Sequence, residues 1–170
     1  TVYVIQNKFQ EAEKHFQSAI SINPELTNLH YNYAQFFEKR GNLQSAADKY
    51  RLELEYNPNN YRASYNLAVL YRNLGEEKNE KKYLEKTIGI NPEFSLSYIF
   101  LSRVYLHEGQ DYQKAIDLVE KGLSLRLDKQ HEAIAYFLLA DIYSRLDKME
   151  VSQQYVAKAK AIRESIPKEK

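Results

Sequence analysis

The side chains that could carry out chemistry are few and scattered along this chain. The four histidines are His15, His30, His107 and His131. None of them has a partner at the spacing of metal ligands, and the absence of cysteine excludes disulfides and thiolate metal or redox sites. Glycine-rich phosphate loops, nucleophile elbows and zinc motifs do not occur either. The sequence therefore predicts that this segment is not an enzyme and binds no metal or other cofactor.

Charged residues are abundant but balanced. The densest run holds Glu76, Glu77, Lys78, Glu80, Lys81 and Lys82. Their helical spacing predicts a solvated face with i,i+4 ion pairs, and not a general acid and base. With 24 basic and 23 acidic residues, the net charge is only +1, so no global field draws the chain to nucleic acid or to an anionic membrane. Partners must therefore be selected by local surface.

Neither membrane insertion nor secretion is indicated by the apolar pattern. No apolar run reaches the roughly 20 residues that span a bilayer, and the N-terminus lacks the features of a signal peptide. Absence of cysteine fits the cytoplasm and the periplasm equally well. We expect no membrane insertion in this segment, and both compartments are compatible with the sequence.

The chain repeats itself at one constant interval. An Asn-Pro pair recurs at positions 23–24, 57–58 and 91–92. A glycine recurs with the same spacing, at Gly41, Gly75 and Gly109. Two residue types that share one period indicate a repeat architecture.

Each period has the pattern of two helices joined by a short turn. Apolar residues fall at helical spacing on both sides of Gly75, which supplies the permissive backbone that ends the first helix. Pro92 lacks the N–H that would continue the second helix and biases Asn91 toward extended geometry. Strand-like alternation is absent, so the pattern predicts an all-α chain.

The run Leu67-Ala68-x-x-Tyr71, followed by Gly75, Tyr83-Leu84 and Pro92, resembles the tetratricopeptide repeat. The resemblance implies a right-handed α-solenoid of about four and a half stacked antiparallel helix-turn-helix repeats. The expected divisions of this single array are 1–26 (a truncated first repeat), 27–60, 61–94, 95–132, 133–164 and a tail at 165–170. The truncated repeat keeps Tyr3 at the end of its first helix, which predicts that the chain is a fragment or processed form of something longer.

Two departures from the family pattern concern packing. Glu53 and Glu80 stand where the family prefers small residues, which predicts looser or solvent-open faces around them. After the final helix, expected near Glu150 to Glu164, no further helix covers Val156 and Ile162. We expect these two side chains to be partly exposed and to permit self-association.

The resemblance also implies a ligand site, because first helices line the concave groove in this family. The outward-facing candidates are Tyr31, Asn32, Gln35, Arg62, Tyr65, Asn66, Val69, Arg72, Ile99, Phe100, Arg103, His107 and Asp141. Aromatic rings supply contact area, while Asn, Gln and Arg can pair with a peptide backbone or carboxylate. The alternative is that several of these residues only pack helix against helix.

The predicted function is a protein-interaction scaffold or adaptor that binds a peptide or helix of a partner protein in this groove. A second hypothesis is a non-catalytic docking or regulatory segment of a larger enzyme or membrane-associated assembly. A third is an RNA-binding helical repeat, against which the net charge of +1 and the lack of a continuous basic stripe argue. We therefore expect a protein partner and not nucleic acid.

Overall fold

A computed structural model describes the backbone of residues 2–109 and 111–167, and the side chains from residue 8 onward within those ranges. Over this part of the chain the secondary structure consists of helices without strands. The helices are α1 (Val2–Ile22), α2 (Leu29–Lys39), α3 (Leu43–Tyr56), α4 (Tyr61–Asn73), α5 (Glu77–Ile90), α6 (Ser95–Glu108), α7 (Tyr112–Ser124), α8 (Lys129–Arg145) and α9 (Met149–Glu164). The prediction of an all-α helical-repeat fold is confirmed.

Turns inside the hairpins depend on residues with left-handed backbone. Gly41, Gly75 and Gly109 have φ of 73°, 75° and 67°, values that glycine adopts without steric cost. Asp147 takes this role between α8 and α9, with φ of 58°. Aspartate is one of the few other residues that tolerates this region. The last hairpin therefore turns in the same backbone region without a glycine.

Side-chain caps set where several helices begin. The side-chain oxygen of Asn42 accepts the backbone N–H of Ser45 at 3.1 Å, and that of Asn60 accepts the N–H of Ala63 at 3.2 Å. Asp128 caps α8 in the same way. Such caps satisfy N–H groups that have no partner within the helix. Because the Asp128 cap starts α8 at Lys129, the predicted repeat boundary at residue 133 falls inside this helix.

The chain divides into two compact units, Thr1–Tyr83 and Leu84–Lys170, with the boundary inside α5. Unit one has a core rich in aromatic residues. The buried members of its main cluster are Tyr33, Ala34, Phe36, Phe37, Ala46, Ala47, Tyr50, Leu54, Ala63, Leu67, Leu70 and Tyr71. Phe16 of α1 stacks on Tyr33 with ring centroids 4.7 Å apart, which attaches α1 to this core.

Unit two has a more aliphatic core. Its buried members are Ile99, Leu106, Ala115, Ile116, Val119, Ala135, Leu139 and Ile142. A Cβ placed on Gly122 would lie 2.5 Å from Cδ1 of Ile99, so the close approach of α6 and α7 requires glycine at this position. Val156 and Ile162 of α9 are partly exposed, as predicted from the lack of a covering helix. Residues 168–170 of the predicted tail lie outside the described residues.

One expectation about the start of unit one is wrong. The predicted helix end at Tyr3 does not exist, because α1 runs without interruption from Val2 to Ile22. Asn7 stands one period before Gly41, so the first repeat lacks the glycine that turns the later hairpins. The side chain of Tyr3 itself lies outside the described residues.

The expectation about the two glutamates that stand where the family prefers small residues is also wrong. Both side chains are buried and are not open to solvent. Glu53 is 0% exposed and Glu80 is 3% exposed. One carboxylate oxygen of Glu53 accepts the N–H of Asn28 at 3.2 Å, and the other accepts the N–H of Tyr31 at 3.1 Å. A carboxylate is stabilised there by the positive end of the α2 dipole. Glu53 is thus held by the N-terminus of a neighbouring helix, and Glu80 is not part of a solvated face.

None of the helices in the described ranges combines the length and the apolar content that crossing a bilayer requires.

Candidate functional site

Three of the predicted recognition residues form one hydrogen-bonded cluster in unit one. The hydroxyl of Tyr31 on α2 accepts from Nε2 of Gln35 at 3.1 Å and from Nδ2 of Asn66 on α4 at 3.4 Å. Tyr31 and Gln35 are four residues apart and therefore share one face of α2. The fold brings the equivalent face of α4 beside it. We refer to the predicted residues on these two helices as the α2/α4 face; they are Tyr31, Asn32, Gln35, Arg62, Tyr65, Asn66, Val69 and Arg72.

Beneath this cluster lie two polar residues that were not among the predicted site residues. The hydroxyl of Tyr50, which is 0% exposed, donates to the Glu38 carboxylate and accepts from Nδ2 of Asn66 at 3.0 Å. The ring of Tyr50 belongs to the apolar face of α3, so the sequence pattern does not indicate that its hydroxyl takes part in a polar cluster. Glu38 could have been found, because it follows Gln35 by three residues on the same face of α2.

Burial controls the protonation of the tyrosines around this face. Removal from water raises the pKa of Tyr50 far above its ordinary value, and the hydrogen bond to Glu38 raises it further. Burial also raises the pKa of Tyr65 to about 12, partly offset by the charge of Arg72. Both phenols therefore keep their protons well above physiological pH.

The other predicted residues of the α2/α4 face differ in exposure. Asn32 and Arg62 are exposed, whereas Tyr65, Val69 and Arg72 are partly buried. Nε of Arg62 donates to the hydroxyl of Tyr61 at 3.3 Å, and its guanidinium lies 5.8 Å from the centre of that ring. The face therefore combines fixed aromatic rings, two arginines and amide side chains.

The predicted site residues of unit two differ in exposure and do not form one exposed surface. Ile99 is 0% exposed and packs against Gly122, so its assignment to the binding surface is wrong. The sequence pattern misled because α6 carries apolar residues on nearly all of its faces. Phe100 and Arg103 are partly buried, while His107 is exposed.

Asp141 is exposed and belongs to a local charge pair on α8. Its carboxylate accepts from Nε of Arg145 at 3.3 Å, and Nη1 of the same arginine donates to the carbonyl of Leu106 at 3.2 Å. This arginine links α8 to the end of α6. Asp141 therefore holds Arg145 in position for its contact with Leu106, and the Asp141 side chain itself is exposed to solvent.

The histidines have local roles where their contacts are known. Nε2 of His30 lies 2.8 Å from the carbonyl oxygen of Pro24, and the ring stacks on Tyr56 at 5.3 Å. Nδ1 of His131 lies 2.6 Å from the Asp128 carboxylate. Hydrogen bonds from His131, above all from its backbone N–H, lower the pKa of Asp128. Over the described residues, no group of three or more histidine and acidic side chains is placed to hold a metal ion.

Comparison with known families agrees with this architecture. Two family models, both described as tetratricopeptide repeat, match residues 61–94 and 133–166 in one case and residues 1–55 in the other. These stretches together make up most of the chain. The chain belongs to the tetratricopeptide repeat family.

Curated relatives are similar at low identity. The chain is 22% identical over 158 residues to Tetratricopeptide repeat protein 6 of Homo sapiens, covering 74% of this chain and 30% of that protein. It is 26% identical over 136 residues to Protein O-mannosyl-transferase TMTC3 of Homo sapiens, covering 79% and 15%. It is 23% identical over 143 residues to TPR repeat-containing protein YpiA of Bacillus subtilis, covering 84% and 33%. The chain therefore spans a third or less of the length of these relatives.

Solved structures share the fold along nearly the whole chain. The crystal structure of MamA superposes with a TM-score of 0.80 at 19% identity, covering 94% of this chain and 91% of MamA. The structure of YrrB, described as a TPR protein with an unusual peptide-binding site, superposes with a TM-score of 0.77 at 16% identity, covering 96% and 82%. At such identities the likeness shows the helical-repeat solenoid fold.

Proposed function

We propose that this chain is a protein-interaction module that binds a peptide segment or helix of a partner protein on the α2/α4 face. The observation that carries the proposal is the cluster of Tyr31, Gln35 and Asn66, which joins two helices at the surface of unit one through hydrogen bonds of 3.1 and 3.4 Å. Side chains held in place by one another lose little entropy when a ligand binds. Membership of the family and the likeness to YrrB support the same class of function.

The chemistry of the α2/α4 face suits a peptide with acidic residues. Arg62 is exposed and can contact a carboxylate, while the exposed amide of Asn32 can pair with a peptide backbone. Tyr65 offers a partly buried ring as an apolar contact. In unit two, Phe100, Arg103 and His107 on α6 are proposed as a further contact surface, without Ile99.

Site-specific cross-linking tests the α2/α4 face directly. A photoreactive residue placed at Asn32 or at Arg62 is expected to cross-link a partner, which mass spectrometry then identifies together with the attached peptide. Gln44 on α3 is also exposed and serves as the matched control position. The combined Asn32→Ala, Arg62→Ala and Tyr65→Ala variant should lose that partner. Unchanged partner recovery by this triple variant, with normal helicity, contradicts the assignment of the face.

A second candidate function is a docking or regulatory segment within a larger enzyme. The similarity to TMTC3, a protein named as an O-mannosyl-transferase, favours it, because this chain would correspond to only 15% of that protein. The catalytic residues would then lie outside this segment, which would present substrates or partners to them. The apparent mass of the native protein on an immunoblot with an antibody against this segment distinguishes this hypothesis from the first one. A band near 20.0 kDa, the mass of the chain, contradicts the larger enzyme.

A protein partner is favoured over RNA by the balanced charge of the chain. We expect no gel shift of single-stranded RNA, even at low salt. Self-association through the partly exposed residues of α9 is a separate proposal. Sedimentation at several concentrations tests it, and an invariant monomer mass would contradict it.

A further inference from the structure

Glu38 is a partly buried acidic side chain beneath the α2/α4 face. Among the described residues, its carboxylate has one hydrogen-bond donor, the hydroxyl of Tyr50 on α3. Tyr50 is 0% exposed, so this hydroxyl has no access to water and depends on its protein partners. The pairing with Glu38 therefore decides in which direction the hydrogen bonds beyond Tyr50 run.

The direction follows from the chemistry of the carboxylate. An ionised carboxylate only accepts hydrogen bonds, so the Tyr50 hydroxyl donates to Glu38 and has only its oxygen lone pairs left for other partners. Asn66 of α4 therefore turns its NH₂ group, and not its carbonyl oxygen, toward Tyr50, with Nδ2 3.0 Å from the hydroxyl oxygen. The orientation of this amide is fixed by its partners.

Asn66 imposes the same direction on Tyr31. Its Nδ2 also donates to the hydroxyl oxygen of Tyr31 at 3.4 Å, and Nε2 of Gln35 donates to that oxygen at 3.1 Å. Both lone pairs of the oxygen are then used, and its own proton has no acceptor among the described residues. The partly exposed surface thus offers two groups to a ligand, the O–H donor of Tyr31 and the Oδ1 acceptor of Asn66.

The repeat fold does not require this network. The position of Tyr50 holds Phe16 one period earlier and Leu84 one period later, and Leu84 is 1% exposed. A side chain without a hydroxyl therefore fills the same place in the neighbouring repeats. Glu38 has Arg72 as its counterpart one period later, which cannot accept a hydrogen bond. The network belongs to one repeat only, which favours recognition over packing as its role.

We propose that Glu38, acting through Tyr50, is a positioning residue of the α2/α4 face. It makes Tyr31 a hydrogen-bond donor and Asn66 a hydrogen-bond acceptor toward the partner. A donor beside an acceptor matches one carboxamide group, either a peptide bond in an extended segment or the side chain of an asparagine or glutamine. The backbone of a bound helix does not fit, because its N–H and C=O groups are paired within the helix. This inference rests on the proposed function and names the group that the face selects.

The free protein tests the positioning role without a ligand. In the Tyr50→Phe variant, Asn66 loses its acceptor at 3.0 Å and keeps only the longer contact to Tyr31. We expect the NMR order parameter of the Asn66 side-chain amide to fall clearly, because the amide is then free to rotate. The exposed amide of Asn32 is the internal control and should not change. Equal order of the Asn66 amide in both proteins would overturn the proposal.

Peptides selected from a random library displayed on phage provide the binding probe. The probe is the tightest synthetic peptide that the Arg62→Ala and Tyr65→Ala double variant binds at least about tenfold more weakly, which locates it on the α2/α4 face. Fluorescence anisotropy gives the dissociation constants. A selection in which no peptide depends on Arg62 and Tyr65 would contradict the proposed function itself.

Variants of Tyr50 and Glu38 then separate this inference from the proposed function. Tyr50→Phe and Glu38→Met should each weaken the probe by about threefold to tenfold, although neither residue touches it. Glu38→Gln keeps one acceptor and should restore most of the affinity. Glu55→Met, at an exposed position of α3, is the matched control and should bind like wild type. Wild-type affinity of Tyr50→Phe and Glu38→Met would overturn the inference and leave the proposed function standing.

Changes in the probe identify the group that is bound. Replacing one peptide N–H at a time by an ester oxygen should weaken binding to wild type by about threefold to tenfold at the bond that faces Asn66. The same change should cost little in Tyr50→Phe, whose Asn66 amide is no longer held. A penalty that follows an asparagine or glutamine of the probe, when it is replaced by leucine, assigns the carboxamide to that side chain. Absence of any penalty that depends on Tyr50 would overturn the proposal.

Discussion

Helices α1 and α3 occupy equivalent places in successive repeats, yet their inward faces have different surroundings. Ala46 and Tyr50 of α3 are 0% exposed, with Tyr50 beside Tyr31 of α2 and Asn66 of α4. Ala12 and Phe16 of α1, at the same repeat positions, are only partly buried. The same sequence pattern is thus fully buried in one repeat and partly exposed in the repeat before it.

Burial in a helical repeat is supplied by the neighbouring helices. The stability of such an array is approximately a sum of terms within repeats and terms between adjacent repeats. An identical residue type contributes less where its side chain is only partly covered. Phe9 and Phe16 of α1 are partly exposed, so added burial there would stabilise the chain.

The largest contrast is expected from truncating the equivalent aromatic residues. Tyr50→Ala removes a fully buried ring and should lower the free energy of unfolding by roughly 3–5 kcal/mol. Phe16→Ala should cost about 1–2 kcal/mol, because part of that ring is already in water. Urea unfolding followed by circular dichroism measures both. Equal losses would show that Phe16 and Tyr50 are equally covered in solution.

The next effect concerns Glu53, the buried carboxylate of α3. Helix α1 has no counterpart, because Ala19 holds the equivalent position. Glu53→Ala removes the acceptor of the N–H groups of Asn28 and Tyr31 and of Nδ2 of Asn60. Nδ2 of Asn60 keeps the side-chain oxygen of Asn28 as a partner at 3.0 Å. The two backbone N–H groups left without a partner cost about 1–3 kcal/mol each, so we expect a total loss of roughly 2–6 kcal/mol.

Glu53→Gln is the control for this prediction, because it keeps one acceptor and the side-chain shape. It should lose clearly less stability than Glu53→Ala. Hydrogen exchange at the N-terminus of α2 should accelerate most in Glu53→Ala. Unchanged exchange there would contradict the role of Glu53 as the partner of that helix end.

A smaller contrast is expected from enlarging the equivalent alanines. Ala46→Leu forces extra methyl groups into a closed contact and should cost about 1–3 kcal/mol. Ala12→Leu adds methyl groups at a partly exposed position and should change the free energy of unfolding by less than about 0.5 kcal/mol. Thermal unfolding of the two variants checks this. A destabilised Ala12→Leu variant would mean that Ala12 is as closely packed in solution as Ala46.

The smallest effect is a dependence of stability on alkaline pH through Tyr65 of α4. Its pKa is about 12 in the folded chain, against 10.0 for the free side chain, chiefly because of burial. Below pH 10 both states hold the proton and stability is unaffected. Between pH 10 and about 12 the unfolded state loses the proton first, so the free energy of unfolding falls as pH rises.

Urea unfolding at pH 9 and pH 11 tests this dependence. The Tyr65→Phe variant should lose less stability between those two pH values than the wild type. An identical loss in the variant would show that Tyr65 is as well hydrated in the folded chain as in the unfolded one.

Local signals in the sequence predicted most of the fold. Gly41, Gly75 and Gly109 mark the observed hairpin turns, because positive φ is a property of the local backbone. The repeat period predicts a helix end at Tyr3, but α1 is uninterrupted because Asn7 stands where the later hairpins have a glycine.

The candidate site was predicted in part. Tyr31, Gln35 and Asn66 do meet, because helical spacing places the first two on one face and the repeat brings the third beside them. Ile99 was misplaced because an apolar residue on a helix with apolar residues all around gives no orientation signal.

The sequence alone determined the period, the helical class and the residues that could contact one another within a helix, because these depend on interactions over a few residues. Tertiary structure decided which of the equivalent faces are covered: Tyr50 is closed off while Phe16 is not. It also decided that Glu53 lies buried at the end of another helix. Burial and hydrogen-bond partners of these residues depend on segments that are distant in the chain, and a local pattern does not encode them.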